Sequence, residues 1–169
     1  MATLRRNIVV TVLFTVFGGP AIGLVYLPYW ITRFRIPAGE PLWQMLLGSA
    51  LIFAGLAPGF ESVRRFIYVG RGTLLPTEPT ERLVVSGFYR YLRNPMYVGV
   101  LVAQTGEAVL FRSRDMAICM AIFALGFYIF VLFYEEPMLM RRHPVEYPRY
   151  KSHVPRWWPR LTPWQDGGN

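Results

Sequence analysis

Four long apolar blocks separated by basic segments constrain this chain more than any other feature of its sequence; they cover residues 7–29, 41–60, 96–111 and 116–134. Their apolar residues do not follow the period of 2 or 3.6 that burial of one face leaves in a soluble protein. Runs of this kind suit the hydrocarbon core of a bilayer. Composition agrees: 53% of residues are hydrophobic and 17% are charged, against about 25% charged in an ordinary soluble domain. The expected fold is an all-α membrane protein with about four transmembrane helices, forming a single membrane domain of 169 residues. The third block is short. At 1.5 Å per residue it reaches roughly 24 Å, less than the ~30 Å apolar core. The third and fourth spans are therefore expected to form a tight helical hairpin, turning at Arg112-Ser113-Arg114-Asp115.

Arg5 and Arg6 precede the first block as they would a signal peptide. The block is too long for a signal core, and no small-residue cleavage site follows, so it reads as a retained span. Gly18-Gly19-Pro20 should kink it. In the second span, Pro58-Gly59 marks the far end or a kink, with helix able to resume through Phe66 to Val69. Tyr26, Tyr29, Trp30 and Trp43 suit the interfacial aromatic belt. A polar connection follows at 61–95, whose middle should be irregular because of Pro76 and Pro79. The tail, 135–169, is rich in proline, tryptophan and basic residues, and should dock on the membrane surface or on the rest of the protein.

Charge sets the expected orientation. With both termini cytoplasmic, every one of the 18 basic residues except Arg33, Arg35, Arg112 and Arg114 lies on the inner side. The net charge of +8 is then best matched by anionic membrane lipids, not nucleic acid. A bacterial inner membrane fits this pattern. Cys119 is the single cysteine and lies in an apolar run, so neither an internal disulfide nor a thiolate metal site is encoded. No glycine-rich phosphate loop, paired metal-ligand motif or nucleophile elbow is present. A small-molecule cofactor would have to be held by loops and helix ends at the membrane.

Three stretches carry possible chemistry. The first runs from Leu83 to Gly99 and delivers aromatic and basic residues to a helix start. Pro95 suits the first helical turn and Asn94 a cap. The free N–H groups there attract an anion such as a carboxylate, and Tyr89, Tyr91 and Tyr97 offer flat surfaces to an adenine ring. The same residues also fit an ordinary interfacial helix start. The second is Glu135-Glu136-Pro137. Two carboxylates at the end of a span would oppose the helix dipole and each other, and ionisable groups at membrane depth point to function. Equally, both would be at ease in water, balanced by Arg141 and Arg142. The third is Glu146 to Arg156, where Tyr147 and Tyr150 can share a helical face. His143 and His153 read as surface residues.

Together, in this order and spacing, these stretches resemble the isoprenylcysteine carboxyl methyltransferase and phospholipid methyltransferase superfamily of membrane enzymes. The family pattern L-V-x-x-G-x-Y-x-x-x-R-H-P-x-Y-x-G matches Leu83 to Gly99. A hairpin and Glu135-Glu136 follow, and E-Y-x-x-Y-x-x-x-V-P-R matches Glu146 to Arg156. The resemblance covers roughly the C-terminal half. It implies S-adenosylmethionine-dependent methyl transfer to a lipophilic small-molecule or lipid acceptor. By position it implies cofactor contacts from Arg82, Leu83 and Val84, a pocket wall at Tyr89, helix-start contacts from Asn94, Pro95, Met96 and Tyr97, and a hold on the cofactor's polar end by Glu135. No catalytic residue is assigned. Two positions depart from the pattern. Asn94 replaces the usual histidine and cannot titrate near neutral pH. Val131 replaces an arginine of the prenylcysteine members, which argues against prenylcysteine as acceptor. A nicotinamide-dependent membrane reductase of related architecture and a non-enzymatic membrane accessory protein remain as alternatives.

Overall fold

The computed structural model describes residues 2–73 and 80–165; Pro76 and Pro79 lie outside the described residues. Among the described residues the main helices are α1 (Leu4–Thr32), α2 (Leu42–Tyr68), α3 (Pro95–Leu110), α4 (Arg114–Arg142) and α5 (Glu146–His153). No strand occurs among the described residues. α1, α2 and α4 are long and apolar enough to cross a membrane, with mean hydropathies of 2.3, 1.5 and 2.6. Their 27 to 29 residues span about 40 Å or more at 1.5 Å each. The 16 residues of α3 fall short of the apolar core, as the third block predicts.

Prolines shape the long helices. α1 breaks at Gly18, at the expected kink, and Pro20 restarts it. Both α1 and α4 then contain a five-residue π turn, Ile22–Tyr26 and Val131–Glu135. Each closes with an i+5 bond, Leu27 N–H to the Ile22 carbonyl and Glu136 N–H to the Val131 carbonyl. The next donor in either register would be Pro28 or Pro137, and proline has no N–H. The following carbonyls, Gly23 and Leu132, therefore lose their intrahelical donor. Gln104 of α3 takes up the first: its Nε2 donates to the Gly23 carbonyl at 3.0 Å. α2 behaves differently, continuing unbroken past Pro58 to Tyr68.

α2 and α3 pack along a seam of small residues. Gly48 and Gly55 face Gly99, Ala103 and Gly106, with backbone against backbone. A Cβ on Gly106 would lie 2.6 Å from the Gly48 carbonyl oxygen, and one on Gly55 would run into the Gly99 carbonyl. Such close approach is how apolar helices associate where water supplies no driving force. At the far end the α3–α4 turn is capped by Ser113, whose hydroxyl accepts the Met116 N–H at 3.2 Å. Arg112 there pairs with Glu40 at 3.1 Å, and Gln44 donates to the Val109 carbonyl.

At the opposite end the connection and the tail interlock. Arg65 of α2 bonds Glu61 and Ser86, and the other Glu61 oxygen accepts the Phe88 N–H at 3.0 Å. Gly87 sits over this pair with φ +60°, where a side chain would strike both Glu61 and Arg65. The tail docks on the protein: Arg93, Arg160 and Trp164 exchange backbone hydrogen bonds with Pro155, Tyr91 and Arg90. Tyr147, Tyr150, Val154 and Trp164 form a buried core beneath it, against Leu83, Val85 and Leu139.

The seam makes a direct prediction. Gly55→Val forces backbones apart and should cost about 2–3 kcal/mol, in the range of overpacked interiors. Gly59→Ala points into open space on the same helix and should be neutral or slightly stabilising. Thermal unfolding in detergent micelles measures both.

Candidate functional site

The site is assembled from five segments of the chain. The end of α2 contributes Phe66, and the connection contributes Leu83, Val84 and Tyr89. The start of α3 supplies Arg93, Asn94, Met96 and Tyr97. The π turn of α4 and the residues after it bring Val131, Tyr134, Glu135, Glu136 and Leu139, and α5 closes the cavity with Tyr147 and Tyr150. Seven of the positions singled out in the sequence, Leu83, Val84, Tyr89, Asn94, Met96, Tyr97 and Glu135, thus line one cavity. Arg82 does not; its side chain is exposed. Pro95 is fully buried in the first turn of α3, where it fixes the helix start behind the wall.

The acidic pair does not end a span. α4 continues through it to Arg142, and the π turn carries Glu135 as its last residue. The two carboxylates consequently diverge. Glu135 turns to α3 and accepts the Tyr97 hydroxyl at 2.9 Å; among the described residues that is its single hydrogen bond. Glu136 turns to the tail and is saturated. Its Oε1 accepts Arg93 at 2.9 Å and the Arg156 Nε; its Oε2 accepts Lys151 at 2.9 Å and the second Arg156 donor at 3.0 Å. Glu136 and Arg93 are almost wholly buried. The Glu136 carboxylate in turn holds the Arg156 guanidinium charged, its pKa raised above the ordinary arginine value. Glu136 therefore builds the wall, and Glu135 keeps accepting capacity beside the cavity.

Asn94 corrects a second expectation. It occupies the cap position, but its side chain makes no capping bond; its amide donates to the Arg156 carbonyl at 3.1 Å. The tail carbonyl competes successfully because the backbone of Asn94, at φ −122° and ψ 54°, lacks the extended geometry of a cap. The first-turn N–H groups of Met96 and Tyr97 are left without the capping bond. Arg93 also donates to the Tyr147 hydroxyl at 3.1 Å, and its Nε has no partner among the described residues.

The tyrosines stay neutral. Burial lifts the Tyr147 phenol to about 12 and carries those of Tyr89 and Tyr150 well above the ordinary range. They act as hydrogen-bond donors and apolar walls. The Tyr150 hydroxyl donates to the Tyr89 carbonyl at 2.6 Å, and Phe66 stacks on the Tyr89 ring at 5.7 Å between centroids. The donor set is thus one under-used carboxylate, one guanidinium with a spare N–H, one uncapped helix start and an apolar aromatic lining. Arg93 and Phe66 were not singled out as site residues from the sequence. An arginine directly before an Asn-Pro helix start is a usable signal; Phe66, inside a long apolar helix, has none.

Removing the charge at Glu136 leaves three cations without their acceptor. Glu136→Gln should destabilise the tail by about 3 kcal/mol, the scale for breaking a buried ion pair on one side. Limited trypsin digestion reads this as faster cleavage after Lys151 and Arg156, with α1 to α4 intact.

A family model described as phospholipid methyltransferase matches residues 43–144. The match takes in α2, the connection, α3 and α4, and leaves α1 and α5 outside. Neither a curated protein nor a solved structure matches the chain.

Proposed function

We propose that this chain, which belongs to the phospholipid methyltransferase family, transfers a methyl group from S-adenosylmethionine to a lipophilic acceptor that enters its cavity from the bilayer. The observation that carries this reading is the Tyr97–Glu135 hydrogen bond. It joins the Asn-Pro helix start to the acidic pair around one cavity, with a carboxylate oxygen to spare.

The residues present fit this cofactor. Its cationic ammonium and sulfonium call for a carboxylate, and Glu135 supplies one with a single hydrogen bond among the described residues. Its carboxylate calls for donors. The N–H groups of Met96 and Tyr97 at the uncapped start of α3 and the spare Nε of Arg93 answer that need. Its adenine calls for flat apolar walls, which Leu83, Val84 and Tyr89 give. When bound, the cofactor supplies an electrophilic methyl on a positively charged sulfur.

The chain's own work is then positioning and exclusion of water. Tyr97 fixes the Glu135 carboxylate, so its charge is set in place before ligand arrives. The Glu136 cluster holds the tail over the cavity and keeps bulk water out. Asn94 binds the tail through the Arg156 carbonyl, so no ionisation is needed at that position. A neutral amine, thiolate or carboxylate acceptor requires no protein base for displacement, only alignment with the methyl. The side of the membrane follows from charge: the cavity lies at the end that carries the arginine-rich connection and tail, which the positive-inside bias puts in the cytoplasm.

Calorimetry in detergent tests this. The protein should bind S-adenosylmethionine and not NADPH. Glu135→Ala should weaken the affinity by more than tenfold, and Tyr97→Phe by roughly fivefold, the worth of about 1 kcal/mol for one hydrogen bond. Unchanged affinity in Glu135→Ala would overturn the assignment, and binding of NADPH alone would move it to the reductases.

A further inference from the structure

A second cavity lies between α1, α2 and α3, away from the site just described. Val16, Ala21, Leu24, Val25, Ile52 and Leu56 form its apolar wall. Its two hydroxyls are spoken for. Thr15 donates to the Thr11 carbonyl at 2.8 Å, and Tyr26 to the Val16 carbonyl at 2.9 Å. Glu107 also lines the cavity. This residue is 6% exposed, and its Oε2 is buried with no hydrogen-bond partner among the described residues. No ion pair reaches it among them either.

An apolar, membrane-embedded cavity with one unanswered carboxyl is costly. A buried charge needs a counter-charge, and a buried polar atom needs a partner. A leucine or methionine would fill the same place without that cost. The position along α3 sets this cavity apart from the first. Glu107 is ten residues beyond Tyr97, about 15 Å along the helix axis, so a ligand head at Glu107 is out of reach of Glu135. The π turn of α1 contributes Leu24, Val25 and Tyr26 to the wall. Pro28 and Gln104, which settle that turn, therefore also shape this cavity.

We propose that this cavity is a second, intramembrane binding site for a lipophilic primary amine, whose ammonium pairs with the Glu107 carboxylate while its hydrocarbon chain lies against Val16, Leu24, Val25 and Leu56. Among the described residues the Thr15 and Tyr26 hydroxyls already donate within α1 and Glu107 is the one charged group on the walls, so the ligand carries one polar head on an apolar body. The carboxyl selects the head. An ammonium compensates the buried charge, an alcohol offers a hydrogen bond without compensation, and a carboxylate is repelled. The site stands whether or not the methyl-transfer reading holds.

The test uses the full chain in phosphatidylcholine nanodiscs and calorimetric titration of octylamine, octanol and octanoate, with empty nanodiscs as background. An alkylamine is cationic at pH 7, having a pKa near that of lysine, about 10.4. Saturable octylamine binding is expected, at one per chain and at least tenfold tighter than octanol, with none for octanoate. Glu107→Gln should weaken octylamine at least tenfold and leave S-adenosylmethionine affinity as in the wild type. Val25→Trp, which fills the cavity and keeps the carboxyl, should abolish octylamine binding, and it decides the matter if Glu107→Gln does not fold. Octylamine heat equal to that of empty nanodiscs, equal affinity in either variant, or octanol binding as tightly as octylamine would each overturn the proposal.

Discussion

One carboxylate, Glu136, ties together the parts of this protein that are not membrane spans. It accepts hydrogen bonds from Arg93 before α3 and from Lys151 and Arg156 in the tail. The connection and the tail share an apolar core, Tyr147, Tyr150, Val154 and Trp164 against Leu83 and Val85, but apolar contact is non-directional, and the ion cluster at Glu136 fixes how they meet. A buried cluster of this kind adds little net free energy once desolvation is counted. What it adds is specificity: three cations have one place where their charges are answered. The Tyr147 hydroxyl and the Arg156 and Pro155 carbonyls then fall into register with Arg93 and Asn94.

The membrane part rests on a different constraint. Every backbone polar group in a bilayer needs a partner inside the protein. Proline removes donors, and the chain places Pro28 and Pro137 where two π turns end. In α1 the freed carbonyl of Gly23 is answered by Gln104 from α3, which pins one helix to another. In α4 the π turn changes the angular step just before Glu136, sending Glu135 to Tyr97 and Glu136 to the tail. Two adjacent carboxylates thereby take separate tasks, one in the wall and one facing the cavity.

Much of the fold was legible from the blocks of apolar residues, because a bilayer imposes length and polarity that composition records directly. The short α3, the hairpin turn at Ser113, the break at Gly18 and the membrane class all follow from that pattern. The candidate site was legible in part. The family resemblance singled out Leu83, Val84, Tyr89, Asn94, Met96, Tyr97 and Glu135, and they meet at one cavity. Arg82 is exposed and does not line the cavity, and the Asn94 side chain does not cap α3. At Asn94 the competing partner, the Arg156 carbonyl, lies far along the chain, where local spacing carries no information.

The sequence by itself determined that the chain is an α-helical membrane protein, since each hydrocarbon-spanning helix must satisfy its own backbone and shows this in contiguous apolar residues. It also determined which residues approach the helix start, because Pro95 allows one role there. Only the tertiary structure decided which of two neighbouring glutamates is bound by cations and which keeps accepting capacity beside the cavity. It alone put Glu107 beside an apolar cavity with no partner among the described residues. The physical reason is the same for both. The state of a carboxyl depends on what lies within hydrogen-bond reach in space, and among the described residues the partners in reach come from 15 to 43 residues away or are absent.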